Sequence, residues 1–252
     1  MLDGTGLKLV VSDIDGCLSV DKGIPFDPSA MAALREHQDR AREGIGLPIT
    51  LCSGRGQPYM EAIGQFLGVT EPMICEAGSM LFDPRDDSVT LNPLINDDHL
   101  EAMRELRDKL RRSFNGRNIR FEVGKEICLS INPFPFPMGS EELENAVAGL
   151  LQETMDLADG KLFNVTRSSC SVDVTPKGVD KASGIAMLSE RIGVSPEDMV
   201  GIGDSYNDLS FLKAVGASAC PENGVQLIKD LVKYVSPERH ILGVLDIIAH
   251  YS

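Results

Sequence analysis

Apolar and polar positions along the chain follow two different rhythms. In the first stretch, short apolar runs alternate with longer amphipathic segments. Leu7–Ser12, interrupted only by Lys8, predicts a strand. Ser29–Glu43 predicts a helix whose start is marked by Pro28 and Ser29. Gly46–Leu51 predicts the next strand, Pro58–Leu67 a helix and Met73–Cys75 a short strand. Strand, helix, strand, helix, strand at this spacing predicts a parallel sheet with helices on its faces.

After Phe82 the rhythm changes. Asp83 to Asp87, with Pro84, reads as a turn, followed by a strand at Val89–Leu91 and a long charged helix at Asp97–Phe114. Two strands that could pair, Ile119–Val123 and Glu126–Ile131, precede a break at Pro133, Pro135 and Pro137. A helix at Ser140–Glu153 and strands at Leu162–Thr166 and Ser171–Val174 complete an α+β module of mixed or antiparallel strands. From Lys181 the first rhythm returns: helix Lys181–Ile192, strand Met199–Ile202, helix Asn207–Val215, strand Ala217–Cys220, helix Val225–Asp230, a stub at Tyr234–Val235 and a closing helix Ile241–Ala249.

The simplest assembly is a Rossmann-like three-layer α/β core with a parallel sheet, built from both ends of the chain, residues 1–84 and 173–252. Residues 85–172 are inserted as an α+β cap. Insertions at the active edge of a parallel sheet often gate the site.

Composition narrows the partners. The chain of 252 residues carries a formal charge of −14, which disfavours nucleic acid or an anionic membrane as partner. A divalent cation suits such a protein. Leu9–Val11 is too short for the apolar region of a leader, and Asp3 stands where a basic segment would be; no apolar run reaches the length of a membrane span. The six cysteines make no Cys-x-x-Cys pair and read as reduced thiols of a cytoplasmic protein. The four histidines are scattered without the spacing of a zinc site. No clear apolar stripe chooses between a monomer and a homodimer.

Four expected strand ends carry polar groups: Asp13/Asp15, Ser53/Arg55, Glu76-Ala77-Gly78, and Asp204/Asp208. In a parallel sheet they share the carboxyl edge, where the crevice forms. An Asp-x-Asp-Gly also occurs in plain turns, and Asp204 to Asp208 also suits helix capping. Two acidic clusters from opposite ends of the chain stay ionised together if a cation neutralises them, and oxygen-only ligands indicate Mg²⁺. Lys181 opens a helix, where the dipole offers it nothing, so an anion or carboxylate should hold it. Lys177, four residues earlier between Pro176 and Gly178, is its competitor and reads as an exposed turn residue.

Four segments together resemble the haloacid dehalogenase superfamily of phosphatases, in the branch with the larger α/β cap: Val11 to Gly16, Thr50 to Arg55, Pro176 to Lys181, and Gly201 to Asp208. Glu76-Ala77-Gly78 is similar to that branch's Glu-Asn-Gly, with Ala77 departing. The resemblance covers both core segments in order; the cap matches in size and element order. It implies that Asp13 is the nucleophile and forms an aspartyl-phosphate, and that Asp15 is the acid and then the base. Ser53 would bind the phosphoryl group and Lys181 neutralise charge. Mg²⁺ would be held by Asp13, the Asp15 backbone carbonyl and Asp204, with Asp208, and Asn207 beside it, orienting waters or Lys181. Gly54, Arg55, Asn207 and Arg167 are the candidate substrate-binding residues; Arg55 is either structural or substrate-facing, and Arg167 to Ser169 either face the leaving group or form a plain hairpin.

The implied reaction is Mg²⁺-dependent hydrolysis of a small phosphorylated metabolite. Phosphoglycolate leads by similarity to archaeal phosphoglycolate phosphatases. A sugar phosphate, as in the sucrose-phosphate or mannosyl-phosphoglycerate phosphatases, is the alternative, and a phosphomutase a more distant one.

Overall fold

The computed structural model describes residues 6–20, 23–137 and 139–252. Asp3, on which part of the reading about a leader rested, lies outside them. In chain order the first core segment runs β1 (Leu9–Ser12), α1 (Pro28–Arg42), β2 (Ile49–Leu51), α2 (Gln57–Leu67), β3 (Met73–Cys75), β4 (Met80–Asp83) and β5 (Ser88–Leu91). The cap follows with α3 (Asp97–Ser113), β6 (Ile119–Phe121), β7 (Leu129–Pro133), α4 (Glu141–Leu157), β8 (Phe163–Arg167) and β9 (Val172–Pro176). The chain then returns through α5 (Lys181–Ile192), β10 (Met199–Ile202), α6 (Leu209–Ala214), β11 (Ala217–Cys220), α7 (Gln226–Lys229), β12 (Tyr234–Val235) and α8 (His240–Tyr251).

The core sheet has the order β12-β11-β10-β1-β2, all neighbours parallel. A single parallel bridge, Cys52 to Ile74, hands it on to β3. Alternation along β1 makes the layers. Val10 packs with α1, α2 and α8 on one face, while Leu9 and Val11 pack with α5, α6 and α7 on the other. Full burial of such a side chain contributes about 1.5–3 kcal/mol, so this two-sided apolar strand anchors both layers. Helix α1 begins where its pattern predicts: Asp27 caps it by accepting from Ser29 N and Ala30 N, and Pro28 fills the first turn.

Two expected boundaries move. The β4 strand was not foreseen, and β3, β4 and β5 form an antiparallel sheet of their own. The division expected at 84/85 therefore falls in the turn of a core hairpin. The division expected at 172/173 falls inside β9, which pairs with β7 and β8 in the cap sheet, order β6-β7-β9-β8. Strand ends carry no mark of which sheet they join, since that is decided by pairing partners far away in sequence. Helices α3 and α4 cover one face of the cap sheet, burying Met103, Leu106, Leu110, Val147 and Leu150 against Ile131, Val172 and Val174.

All six cysteines are buried thiols. Among the described residues no helix is long and apolar enough to cross a membrane.

Candidate active site

The site lies where β1, β2 and β10 end and α5 begins. Asp13 follows β1 directly and is 3% exposed. Its Oδ1 accepts from Ile14 N at 2.7 Å. Gly16 turns the chain at φ +84°, and a Cβ there would lie 2.1 Å from Asp204 Oδ2. Glycine is thus required twice over, for the left-handed turn and for the approach of the Asp204 carboxylate.

Lys181 is the first residue of α5, placed by a capping box in which Asp180 accepts from Ser183 N and the Ser183 side chain reaches back to Asp180 N. It is 1% exposed, and its Nζ lies 2.8 Å from Asp13 Oδ2 and 2.6 Å from Asp208 Oδ1. Lys177 is exposed, on the rim of a groove that Lys181 also borders. The choice between the two lysines is settled by burial and partners. Burial works against the Lys181 charge, but Asp13 and Asp208 hold its ammonium well above the ordinary lysine range. Burial pushes the Asp13 carboxyl up to about 7, with Lys181 pulling the other way.

Asp208 has both oxygens engaged. Oδ1 accepts from Lys181, and Oδ2 accepts from Asp204 N at 3.0 Å and Ser205 N at 2.9 Å. It stands in a tight turn at 206–208 ahead of α6, rather than on the first turn of one longer helix. One carboxylate oxygen each from Asp13, Asp204 and Asp208 nevertheless fall within 4.8 Å of one another. Ser53, 1% exposed, is fixed by its N–H on Ile74 O at 3.0 Å, and its Oγ accepts from Arg55 N at 3.4 Å.

The Asp15 side chain is paired with Arg55. Both its oxygens accept from Arg55, Nε at 2.7 Å and Nη2 at 2.6 Å. Arg55 lies over the Tyr59 ring at 4.7 Å. This bidentate, stacked arginine is a feature the sequence reading left open between structure and substrate.

The cap closes the site. Asp13, Asp15, Ser53, Gly54, Arg55, Ser205 and Asn207 line a pocket of about 40 Å³, roofed by Glu122, Lys125, Ser168 to Ser171 and Asp173 of the cap. Of the expected substrate-binding residues, Gly54, Arg55 and Asn207 are there. Arg167 is not: it lies over the Tyr206 ring at 4.7 Å and reaches Glu144 at 3.4 Å. Residues alternate sides along β8, so Arg167 leaves the roof to its neighbours in the following turn. Lys125, Glu122 and Asp173 were missed. They converge through antiparallel register, with Asp173 opposite Ser130.

Glu76 does something the sequence did not signal. It sits at φ 48° and is 1% exposed. Its carboxylate accepts from three cap amides, Glu126 N, Ile127 N and Cys128 N, each at 2.8 Å. The same cap loop presses on the core at Gly56, where a Cβ would lie 2.1 Å from Gly124 O.

The profile of the haloacid dehalogenase-like hydrolases matches residues 10–130 and 138–248. The chain belongs to this family. With the acidic cluster at its site, this haloacid dehalogenase-like hydrolase is an enzyme, a phosphatase. It is 25% identical to the 5-amino-6-(5-phospho-D-ribitylamino)uracil phosphatase of Bacillus subtilis, covering 97% of this chain and 96% of that one. It is 27% identical to the phosphoglycolate phosphatase of Methanopyrus kandleri, covering 94% of each. The fold is also that of a Thermoplasma acidophilum protein, with TM-score 0.70, 22% identity and 97% and 98% of the two chains covered. The sucrose-phosphatase of Synechocystis, solved with sucrose and phosphate, is similar at TM-score 0.67 and 18% identity, with 97% of each chain covered.

The donor set of this hydrolase fits Mg²⁺. It offers carboxylate oxygens with no nitrogen or sulfur among them, and the glycine at 16 leaves room for Asp204 to close on the Asp13 loop.

Proposed function

We propose that this chain is a Mg²⁺-dependent phosphomonoester hydrolase of the branch with the larger α/β cap, working through an aspartyl-phosphate on Asp13. The observation that carries the reading is Lys181, buried between Asp13 and Asp208 at the edge where Asp204 and Ser53 also arrive. In this reading a carboxylate oxygen of Asp13 attacks phosphorus and the bond to the leaving oxygen breaks. Asp15 gives that oxygen its proton. Water then attacks the phosphorus of the acyl phosphate, Asp15 takes the water's proton, and inorganic phosphate leaves with Asp13 restored.

Lys181 and the Ile14 amide hold the Asp13 carboxylate in line, and Ser53 and the loop amides after Asp13 receive the equatorial oxygens. Arg55 orients Asp15; one of its two bonds has to open for that carboxylate to reach the leaving oxygen. Asp13, Asp204, the Asp15 carbonyl and Asp208, directly or through water, would hold Mg²⁺, which when bound offsets the negative charge gathered there. The cap excludes bulk water.

The substrate is a small phosphorylated metabolite. The relatives act on two kinds of leaving group, the anionic glycolate and a neutral ribitylaminouracil.

Asp13→Asn is expected to abolish Mg²⁺-dependent phosphate release from p-nitrophenyl phosphate, and chelation with EDTA to silence the wild type. Turnover at the wild-type rate in the variant would remove Asp13 as nucleophile.

A further inference from the structure

The peptide that follows Asp13 and Asp15 is held from behind by the last core segment. Gly16 N–H donates to Ser19 O at 2.9 Å. The Gly16 carbonyl takes two donors, Asn223 Nδ2 at 2.8 Å and His240 Nδ1 at 3.2 Å. A carbonyl only accepts, so Nδ1 carries the proton in this contact. The His240 backbone N–H donates to Asn223 Oδ1 at 2.8 Å, which leaves Nδ2 of that amide facing Gly16. His240 therefore grips Gly16 twice, directly through its ring and indirectly through Asn223.

The grip comes at a local cost. His240 opens α8 at φ 50°, in the left-handed region that a side chain disfavours. Strain of this kind persists where the surroundings over-determine it. The turn that bears Asn223 also donates from Val225 N to Asp204 O at 2.8 Å. Gly16 lies against the Asp204 carboxylate, since a Cβ on it would stand 2.1 Å from Asp204 Oδ2. One connected set of contacts thus reaches both Asp204 and the peptide between Asp15 and Gly16. We propose that His240 is a positioning residue of the Mg²⁺ site, acting through Asn223 and Gly16 without being a ligand. This rests on the proposed metal site at Asp13, Asp204 and the Asp15 carbonyl.

The Asp15 carbonyl and the Gly16 N–H belong to one planar peptide. Holding Gly16 at both its N–H and its carbonyl therefore fixes the direction in which the Asp15 carbonyl points. Groups that orient metal ligands from behind typically contribute about 10–100-fold to metal affinity. His240 acts on a backbone ligand through a neighbouring residue, which places it at the lower end. Neither His240 nor Asn223 lines the pocket that holds Asp13, Asp15 and Ser53, so neither reaches the substrate. Loss of the ring should therefore be read in metal affinity far more than in turnover.

The test uses Mn²⁺ as the probe, its binding followed without substrate by the loss of the free ion's paramagnetic resonance signal. The Mg²⁺ concentration for half-maximal hydrolysis of p-nitrophenyl phosphate is measured beside it. His240→Gly relieves the backbone strain and removes the ring. In urea it should be at least as stable as the wild type. It should nevertheless bind Mn²⁺ about tenfold more weakly and need correspondingly more Mg²⁺. Its kcat at saturating Mg²⁺ should fall by no more than about threefold. His240→Asn keeps a residue that tolerates the left-handed region and places a side-chain N–H near the position of Nδ1. It should bring Mn²⁺ affinity back to within about twofold of the wild type. Wild-type Mn²⁺ affinity in the glycine variant overturns the inference and leaves the phosphatase reading untouched. An asparagine variant as weak as the glycine variant also overturns it. A wild type that binds no Mn²⁺ and hydrolyses p-nitrophenyl phosphate in EDTA removes the metal site, and this inference with it.

Discussion

The floor and roof of the pocket both place a buried lysine between two carboxylates, yet they are built differently. On the floor, Lys181 joins Asp13 and Asp208 across strand and helix ends of a parallel sheet. On the roof, Lys125 joins Glu122 and Asp173 within one antiparallel sheet and its turn. The floor gathers residues as far as 195 positions apart, Asp13 and Asp208, because parallel strands must all end at the same edge. The roof gathers residues by register, where a slip of one position would turn each side chain to the other face. The comparison teaches that residues gathered at the end of a parallel sheet keep their places as long as the strand order holds, whereas residues gathered by antiparallel register depend on each local pairing.

The largest effect should come from breaking the floor. Lys181→Ala leaves two buried carboxylates facing each other. It is expected to cost about 3–5 kcal/mol of stability and at least about 10³-fold in kcat/KM, whereas Lys177→Ala stays within a few-fold. Urea unfolding and steady-state kinetics on p-nitrophenyl phosphate check both; parity of the two variants would mean the buried lysine does not serve the site.

Next in size is the joint between the two halves. Glu76→Ala removes the acceptor for two buried amides and one part-buried amide, the buried ones each worth about 1–3 kcal/mol if left unsatisfied. Water entering as the cap lifts offsets part of this, so a loss of about 2–4 kcal/mol is expected. Faster amide exchange should be confined to Glu126, Ile127 and Cys128 and their neighbours. Unchanged exchange there would show that the latch is dispensable.

A smaller effect concerns the core alone. Arg85, against the effect of burial and with help from Arg191, holds the Asp83 carboxyl well below its ordinary 3.8. A folded-state value below the unfolded one means a contribution present above about pH 4 and lost as pH falls further. Both arginines are about half exposed, so Asp83→Asn should cost only about 1 kcal/mol at pH 7. The gap from wild type should close on titration toward pH 2, and a gap that widens there would reverse the sign.

The smallest effect tests one residue beside the latch. Ala77 sits at φ 56°, a left-handed conformation that an alanine adopts at a cost. Ala77→Gly should raise stability by about 0.5–1 kcal/mol in urea melts. A loss of stability would mean that burial of the methyl outweighs the strain.

Helices and strands of the core were legible because their signals are local: a capped amphipathic start for α1, a run buried on both faces for β1, and a bounded helix for α5. The floor of the site was legible for the same reason, since its residues stand at the ends of those elements. The hairpin strand β4 was not, because its few apolar residues, Met80 to Phe82, stand between the Glu76-Ala77-Gly78 turn and the turn at Asp83 to Asp87 and read as the close of the first rhythm. The place of β9 in the cap, the turn of Arg167 toward Tyr206, and the bond from Glu76 to amides 50 residues away were not legible either. None of these has a local signature.

The sequence by itself therefore determined an α/β core interrupted by an α+β insertion, an acidic edge suited to a divalent cation, and a lysine that needed an anionic partner. Periodicity and strand-end chemistry are properties of neighbouring residues, and they survive without knowledge of the whole. Only the tertiary structure decided which lysine is buried, that Asp15 is held by Arg55, and that Glu122, Lys125 and Asp173 share one face above the nucleophile. Those are outcomes of pairing register and cap docking, which depend on contacts between distant segments that no local pattern encodes.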